Sequence, residues 1–325
     1  MIGFLRRSGG LGRRISAGAY HRSVNNLQSS QSPTAFSVRS ALMKWSDDDR
    51  NLRIGTTNFA LTVEPSKWNE WDSTADHFVL LKTKHYLDNL LRFAPERVEN
   101  VVDLGIFKGG SIALYQELFS PKRMLGIDCL PDRVEALDGF ISDHGLNNSV
   151  RLCYGTNQAD RSLLAKLVNE HFGDEPLDLV VDDCSHLYGT TKASLNTLLP
   201  RIRAGGLYVI EDWGWAHYPG GNPDNWTRNQ AAFKDERTPM SRLILELVLV
   251  VASRPDLIRE VSAVPGIVYV IRGDGSVPEE GFDIGDFHST PGRQILHEDS
   301  AANWWQRMSK ALSRTGDRKV PNCDT

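Results

Sequence analysis

Cysteines are few, and none is spaced to build a metal knuckle or a redox pair. The four, Cys129, Cys153, Cys184 and Cys323, include no C-x-x-C. That pattern excludes a zinc ribbon and a disulfide framework, and the residues read as reduced thiols of a cytoplasmic protein. Long apolar runs are missing too. The longest, LILELVLVVA at 243–252, is interrupted by Glu246 and falls short of the roughly 18–20 residues a membrane span requires. Acids are absent from residues 1–46, which hold six arginines and Lys44. The remainder carries 30 basic against 41 acidic side chains. An acidic body without interleaved basic and aromatic motifs excludes a nucleic-acid scaffold. No internal repeat is visible.

Three zones follow. Residues 1–46 read as a disordered basic arm, because Gly9-Gly10 and the polar NNLQSSQSP at 25–33 offer nothing to pack. Their Arg- and Ser-rich composition also resembles a transit peptide. Residues 47–275 form one domain, and 276–325 a loop-rich tail with one candidate helix, SAANWWQRMSKAL. Within the domain, ADHFVLLKTKHYLDNLLRF (75–93) places Phe78, Leu81, Tyr86 and Leu90 at helical spacing. Five strands alternating with four helices then run from VENVVDLGI to GLYVIED, the pattern of a parallel sheet covered on both faces. Last come LIREVSAV and IVYVIRG, separated only by Pro265-Gly266. So short a link joins only antiparallel neighbours. The expected fold is therefore α/β, a mostly parallel seven-stranded sheet closed by an antiparallel hairpin.

The chemistry-bearing residues fall at the strand ends. VVDLGIFKGGS (101–111) ends a strand in Asp103 and opens a helix through Gly105, Gly109, Gly110 and Ser111. Glycine permits close backbone approach, and a helix N-terminus offers unpaired N–H groups. The spacing G-x-x-x-G-G departs from the G-x-G-x-x-G of nicotinamide-binding folds, which disfavours an oxidoreductase. The next strand ends in Asp128, 23 residues after Gly105, the position of an acid that binds ribose hydroxyls. After the third strand, Asn157 and Gln158 could reach an adenine edge, and Asp160 could equally cap the following helix. The fourth and fifth strands end in VVDDCSH, with Asp182, Asp183 and His186, and in VIED, with Glu211 and Asp212. Neighbouring parallel strands bring these groups together, where carboxylates repel unless a hard divalent cation such as Mg²⁺ joins them.

These segments resemble class I S-adenosylmethionine-dependent methyltransferases over residues 75–273. Within that family they are most similar to the macrolide and anthracycline sugar O-methyltransferases and the cephalosporin-modifying methyltransferase-like proteins. The resemblance implies a Rossmann-like fold. It makes Asp103, Gly105, Gly109, Gly110, Ser111, Asp128, Asn157, Gln158 and Asp182 the candidate cofactor contacts. It implies Asp183, Glu211 and Asp212 as Mg²⁺ ligands and His186 as general base, with His217 a rival. Cys184 stands where the family has glycine or alanine. Trp213, Trp215, His217 and Tyr218 follow at once and read either as an aromatic wall for a small hydroxylated acceptor or as local core. The implied function is O-methylation of a sugar hydroxyl, the alternative a cofactor-binding subunit that assists a partner enzyme. Sugar-methylating relatives often form homo-oligomers.

Overall fold

The computed structural model describes residues 35–63, 72–217, 233 and 236–288. Its centre is a seven-stranded sheet. The parallel strands are β5 (Asn100–Leu104), β6 (Arg123–Ile127), β7 (Val150–Cys153), β8 (Leu177–Asp182) and β9 (Ile202–Glu211). An antiparallel hairpin, β10 (Ile258–Val264) and β11 (Ile267–Arg272), completes it in the order β10-β11-β9-β8-β5-β6-β7. Gly266, in the two-residue link, has φ 79°, a conformation glycine adopts without strain. The central strands are apolar throughout because each face meets its own core. Val101, Val181, Leu207 and Val209 point to one side, and Val102, Val180, Tyr208 and Ile210 to the other. Full burial of each such side chain contributes about 1.5–3 kcal/mol.

Register sets the site. Leu104 pairs with Ile127 and with Asp182, and Asp182 with Ile210. The carboxyl ends of β5, β6, β8 and β9 are therefore level. The chain order reverses at β5, which has β6 on one side and β8 on the other. A crevice opens at such a switch point, and α/β proteins bind ligands there.

Two features depart from the sequence expectations. The helix expected over 75–93 divides into strand β4 (His77–Leu80) and a helix, α2 (Lys84–Phe93). Phe78, Val79 and Leu80 are buried in succession, which a helix with one wet face cannot achieve, and Thr83 Oγ1 caps α2 by accepting from Tyr86 N at 3.1 Å. β4 belongs to a second sheet, ordered β1-β2-β3-β4, with β1 (Lys44–Trp45), β2 (Asn51–Ile54) and β3 (Thr57–Leu61). Residues 35–46, part of the expected basic arm, hold helix α1 (Ala35–Leu42) and β1. Arg39 anchors that helix by donating to Pro95 O at 2.9 Å and Glu96 O at 2.7 Å, with its guanidinium over the Phe119 ring. The candidate helix at 300–312 lies outside the described residues. No described helix is long and apolar enough to cross a membrane.

Candidate active site

The glycine turn after β5 is shaped first by packing. Gly105 has φ 105°, and a Cβ there would stand 2.2 Å from Asp183 O. The close approach locks β5 to β8, where Asp183 N donates to Leu104 O at 2.8 Å. Gly109 takes φ 84° against Leu137, and a Cβ on Gly110 would meet Val79 O of β4 at 2.4 Å. Gly110 opens helix α3 (Gly110–Phe119), whose first turn leaves backbone N–H groups for a ligand. Asp128 holds the same turn. Its Oδ2 accepts from Ile106 N and Phe107 N, both at 2.9 Å, and its Oδ1 from Leu130 N at 2.8 Å.

Asp103 is buried, with Oδ2 accepting from Ser111 Oγ at 2.5 Å. Its Oδ1 is enclosed without a hydrogen-bond partner. Burial raises this carboxyl to about 7, against the opposing effects of the Ser111 bond and the Lys82 charge. A carboxyl whose folded pKa exceeds its unfolded one loses stability as pH rises from about 4 toward 7, and the loss then levels off. Asp103→Asn removes that dependence. The stability of the variant relative to wild type should therefore rise by on the order of 2–4 kcal/mol between pH 4 and pH 8, as read by urea unfolding. A difference that stays constant across this range would show that Asp103 is not buried and strained in this way.

Asp182 and Gln158 sit deeper. Asp182 accepts from Ser194 Oγ at 2.6 Å, Tyr208 OH at 2.9 Å and Gln158 Nε2 at 3.0 Å. Gln158 Oε1 in turn accepts from Ser185 N at 3.1 Å. This closed network fixes the loop after β8 from below. Asn157 is exposed, and its Oδ1 accepts from Ala159 N. Asp160 caps the helix Arg161–Phe172 through Leu163 N.

Asp183, His186 and Asp212 come together at the ends of β8 and β9. One potential ligand atom from each lies within 4.8 Å of the others. His186 Nε2 is 3.8 Å from Asp183 Oδ1. His186 and Asp212 hold left-handed backbone, with φ 56° and 51°, at about 1–2 kcal/mol each for side-chain-bearing residues. Strain of this kind clusters where side chains must be aimed at a ligand.

Glu211 is not in that group. Lys82, buried in the link between β4 and α2, donates to Glu211 Oε2 and to Asp183 Oδ2, both at 2.6 Å. Burial opposes the ammonium, but the charges of Asp183 and Glu211 outweigh it and hold Lys82 well above the usual lysine value. Burial and the Asp183 charge push the Glu211 carboxyl up, with Lys82 pulling the other way. Sequence reasoning missed Lys82. Had HFVLL been read as a strand, this lysine would have stood at a strand end like the acids it meets.

The aromatic stretch is anchored through its polar tips. Trp213 Nε1 donates to Val264 O at 3.0 Å, and Trp215 Nε1 to His186 O at 2.8 Å. The Trp215 ring meets Phe233 edge-on, with centroids 5.0 Å apart. The exposed His217 pairs through Nε2 with Ser241 Oγ at 2.7 Å. Tyr218 lies outside the described residues.

The chain is similar to known proteins in its central part. Residues 102–213 match the family model of a methyltransferase domain. The chain is 32% identical over 161 residues to 8-demethyl-8-(2-methoxy-alpha-L-rhamnosyl)-tetracenomycin-C 3'-O-methyltransferase of Streptomyces olivaceus, covering 47% of this chain and 35% of that protein. It is 29% identical over 150 residues to demethylmacrocin O-methyltransferase of Streptomyces fradiae, covering 44% and 34%. The chain thus spans about a third of the length of the curated relatives it matches. A methyltransferase from the mycinamycin biosynthetic pathway, solved with Mg, SAH and mycinamycin VI, aligns at 23% identity and a TM-score of 0.44, covering 60% of this chain and 51% of that one. The matched segment, 102–213, carries the carboxyl ends of β5 through β9.

Proposed function

We propose that the chain is an S-adenosylmethionine-dependent O-methyltransferase, assisted by Mg²⁺, acting on a hydroxyl of a sugar or sugar-bearing small molecule. The observation carrying this reading is the meeting of two donor sets at one sheet edge. Asp103 offers an unsatisfied buried carboxylate oxygen, and beside it stands the Asp183–His186–Asp212 group. The names of the tetracenomycin and macrocin relatives support the acceptor class.

The residues suit both groups. A buried carboxylate oxygen without a donor suits the ammonium of an amino-acid cofactor, and S-adenosylmethionine when bound supplies a methyl group on a positively charged sulfur. Asp183 and Asp212 suit Mg²⁺, which takes one or two carboxylates and keeps waters; when bound it makes a neighbouring hydroxyl more acidic. Because a hard cation selects oxygen over nitrogen, His186 stays available as base. Its Nε2 receives the acceptor's proton, and Asp183 beside it stabilises the imidazolium. Trp215, bonded to His186 O, holds the backbone that presents this ring.

Calorimetry tests the cofactor assignment. The protein should bind S-adenosylhomocysteine and ignore NADH, and Asp103→Asn should weaken the former by about tenfold or more, the worth of a charged hydrogen bond. Binding of NADH in preference to S-adenosylhomocysteine would refute it.

A further inference from the structure

Lys82 stands between two carboxylates that share a sheet edge with a cation-binding group. Its side chain is 3% exposed, and its ammonium lies 5.0 Å from the centre of the Tyr86 ring. One proton reaches Glu211 Oε2 and another Asp183 Oδ2. Asp183 is thereby divided: Oδ2 faces the lysine, while Oδ1 faces His186. Glu211 spends Oε2 on Lys82, and its Oε1 is enclosed and unbonded. Counted as ionised, Asp183, Glu211 and Asp212 against one ammonium leave two negative charges. A single divalent cation neutralises that remainder. Without the lysine, three charges would crowd the same low-dielectric edge, and a freed Glu211 could turn toward the cation.

We propose that Lys82 is a positioning residue that withholds Glu211 from the divalent cation, so that the cation rests on Asp183 and Asp212. The inference rests on the divalent-cation reading above and adds which of the strand-end acids are ligands. It also gives the second sheet a function, because β4 and its link to α2 deliver Lys82 to the site.

Mn²⁺ titration followed by the electron paramagnetic resonance signal of the free ion tests it without any substrate. Asp212→Asn should weaken Mn²⁺ binding by at least about tenfold, as loss of a ligand does. Lys82→Met should tighten it by about tenfold, since a repelling charge leaves and Glu211 is released. A variant that merely damaged the structure would not gain affinity. The double variant Lys82→Met/Glu211→Gln removes one charge of each sign. It should bind Mn²⁺ within about threefold of wild type, as expected when the two residues act only on each other. It also serves if Lys82→Met alone fails to fold, because an uncompensated buried charge is far costlier than a neutral pair. Equal losses in the double variant and in Asp212→Asn would overturn the inference by making Glu211 a ligand, and so would weakened binding in Lys82→Met. A wild type that leaves the Mn²⁺ signal free would overturn the divalent-cation reading and the inference together.

Discussion

Replacing His186 with alanine is expected to lower kcat for methyl transfer by about 100- to 10,000-fold, the range general-base catalysis commands, with S-adenosylhomocysteine affinity nearly unchanged. His186 follows β8 by four residues, is held in left-handed backbone, and sets Nε2 3.8 Å from Asp183 Oδ1. A side chain aimed at the cost of backbone strain is one whose placement matters. Alanine would add its own discomfort at φ 56°, so His186→Asn is the cleaner companion, because asparagine tolerates that region. Both variants should lose turnover alike, and Mn²⁺ affinity should survive in both. Parallel loss of Mn²⁺ binding would make His186 a ligand. Turnover preserved in both would remove it from the chemistry.

Gly105→Ala should produce the largest loss of stability in the glycine turn after β5. The added carbon would lie 2.2 Å from Asp183 O and 2.8 Å from Asp183 C, on backbone at φ 105°. Left-handed strain and overpacking together cost about 2–5 kcal/mol. Gly145→Ala is the control, since that glycine also has positive φ but nothing stands within 4 Å of its added carbon. It should cost about 1–2 kcal/mol, the conformational part alone. Urea unfolding separates the two. Equal losses would mean that the close approach of β5 to β8 contributes nothing. Because the displaced partner is the backbone of Asp183, Gly105→Ala should also lose Mn²⁺ affinity while still folded.

Much of the fold was legible because its signals are local. Each strand from β5 to β8 meets an acid or glycine at its end or within two residues of it and then gives way to a helical pattern, and Pro265-Gly266 leaves room only for a hairpin. The level strand ends follow from parallel pairing, so an approach of Asp182, Asp183, His186, Glu211 and Asp212 could be anticipated without coordinates; the structure groups Asp183, His186 and Asp212 and turns Glu211 to Lys82. What was not legible depends on contacts between distant segments. HFVLL looks helical beside KHYLDNLL and becomes a strand only because β3 pairs with it and α3 covers it. Lys82 is hidden for the same reason, being 101 residues from Asp183 and 129 from Glu211. Side-chain direction is likewise set by contacts the sequence does not display. Asp182 and Gln158 have the chemistry of cofactor contacts, yet they bond inward to Ser194 and Tyr208. Gly109 and Gly110, suited to a ligand's close approach, accommodate Leu137 and Val79.

The most direct measurement of the central claim is transfer of a labelled methyl group from S-adenosylmethionine across a panel of sugar-bearing acceptors, with and without EDTA. Labelled methyl ether on a sugar hydroxyl is expected, abolished by chelation and restored by added Mg²⁺. Transfer that persists at full rate after complete chelation would contradict the metal-assisted mechanism. S-adenosylmethionine bound but transferred to no acceptor, with or without Mg²⁺, would contradict the assignment as a methyltransferase enzyme.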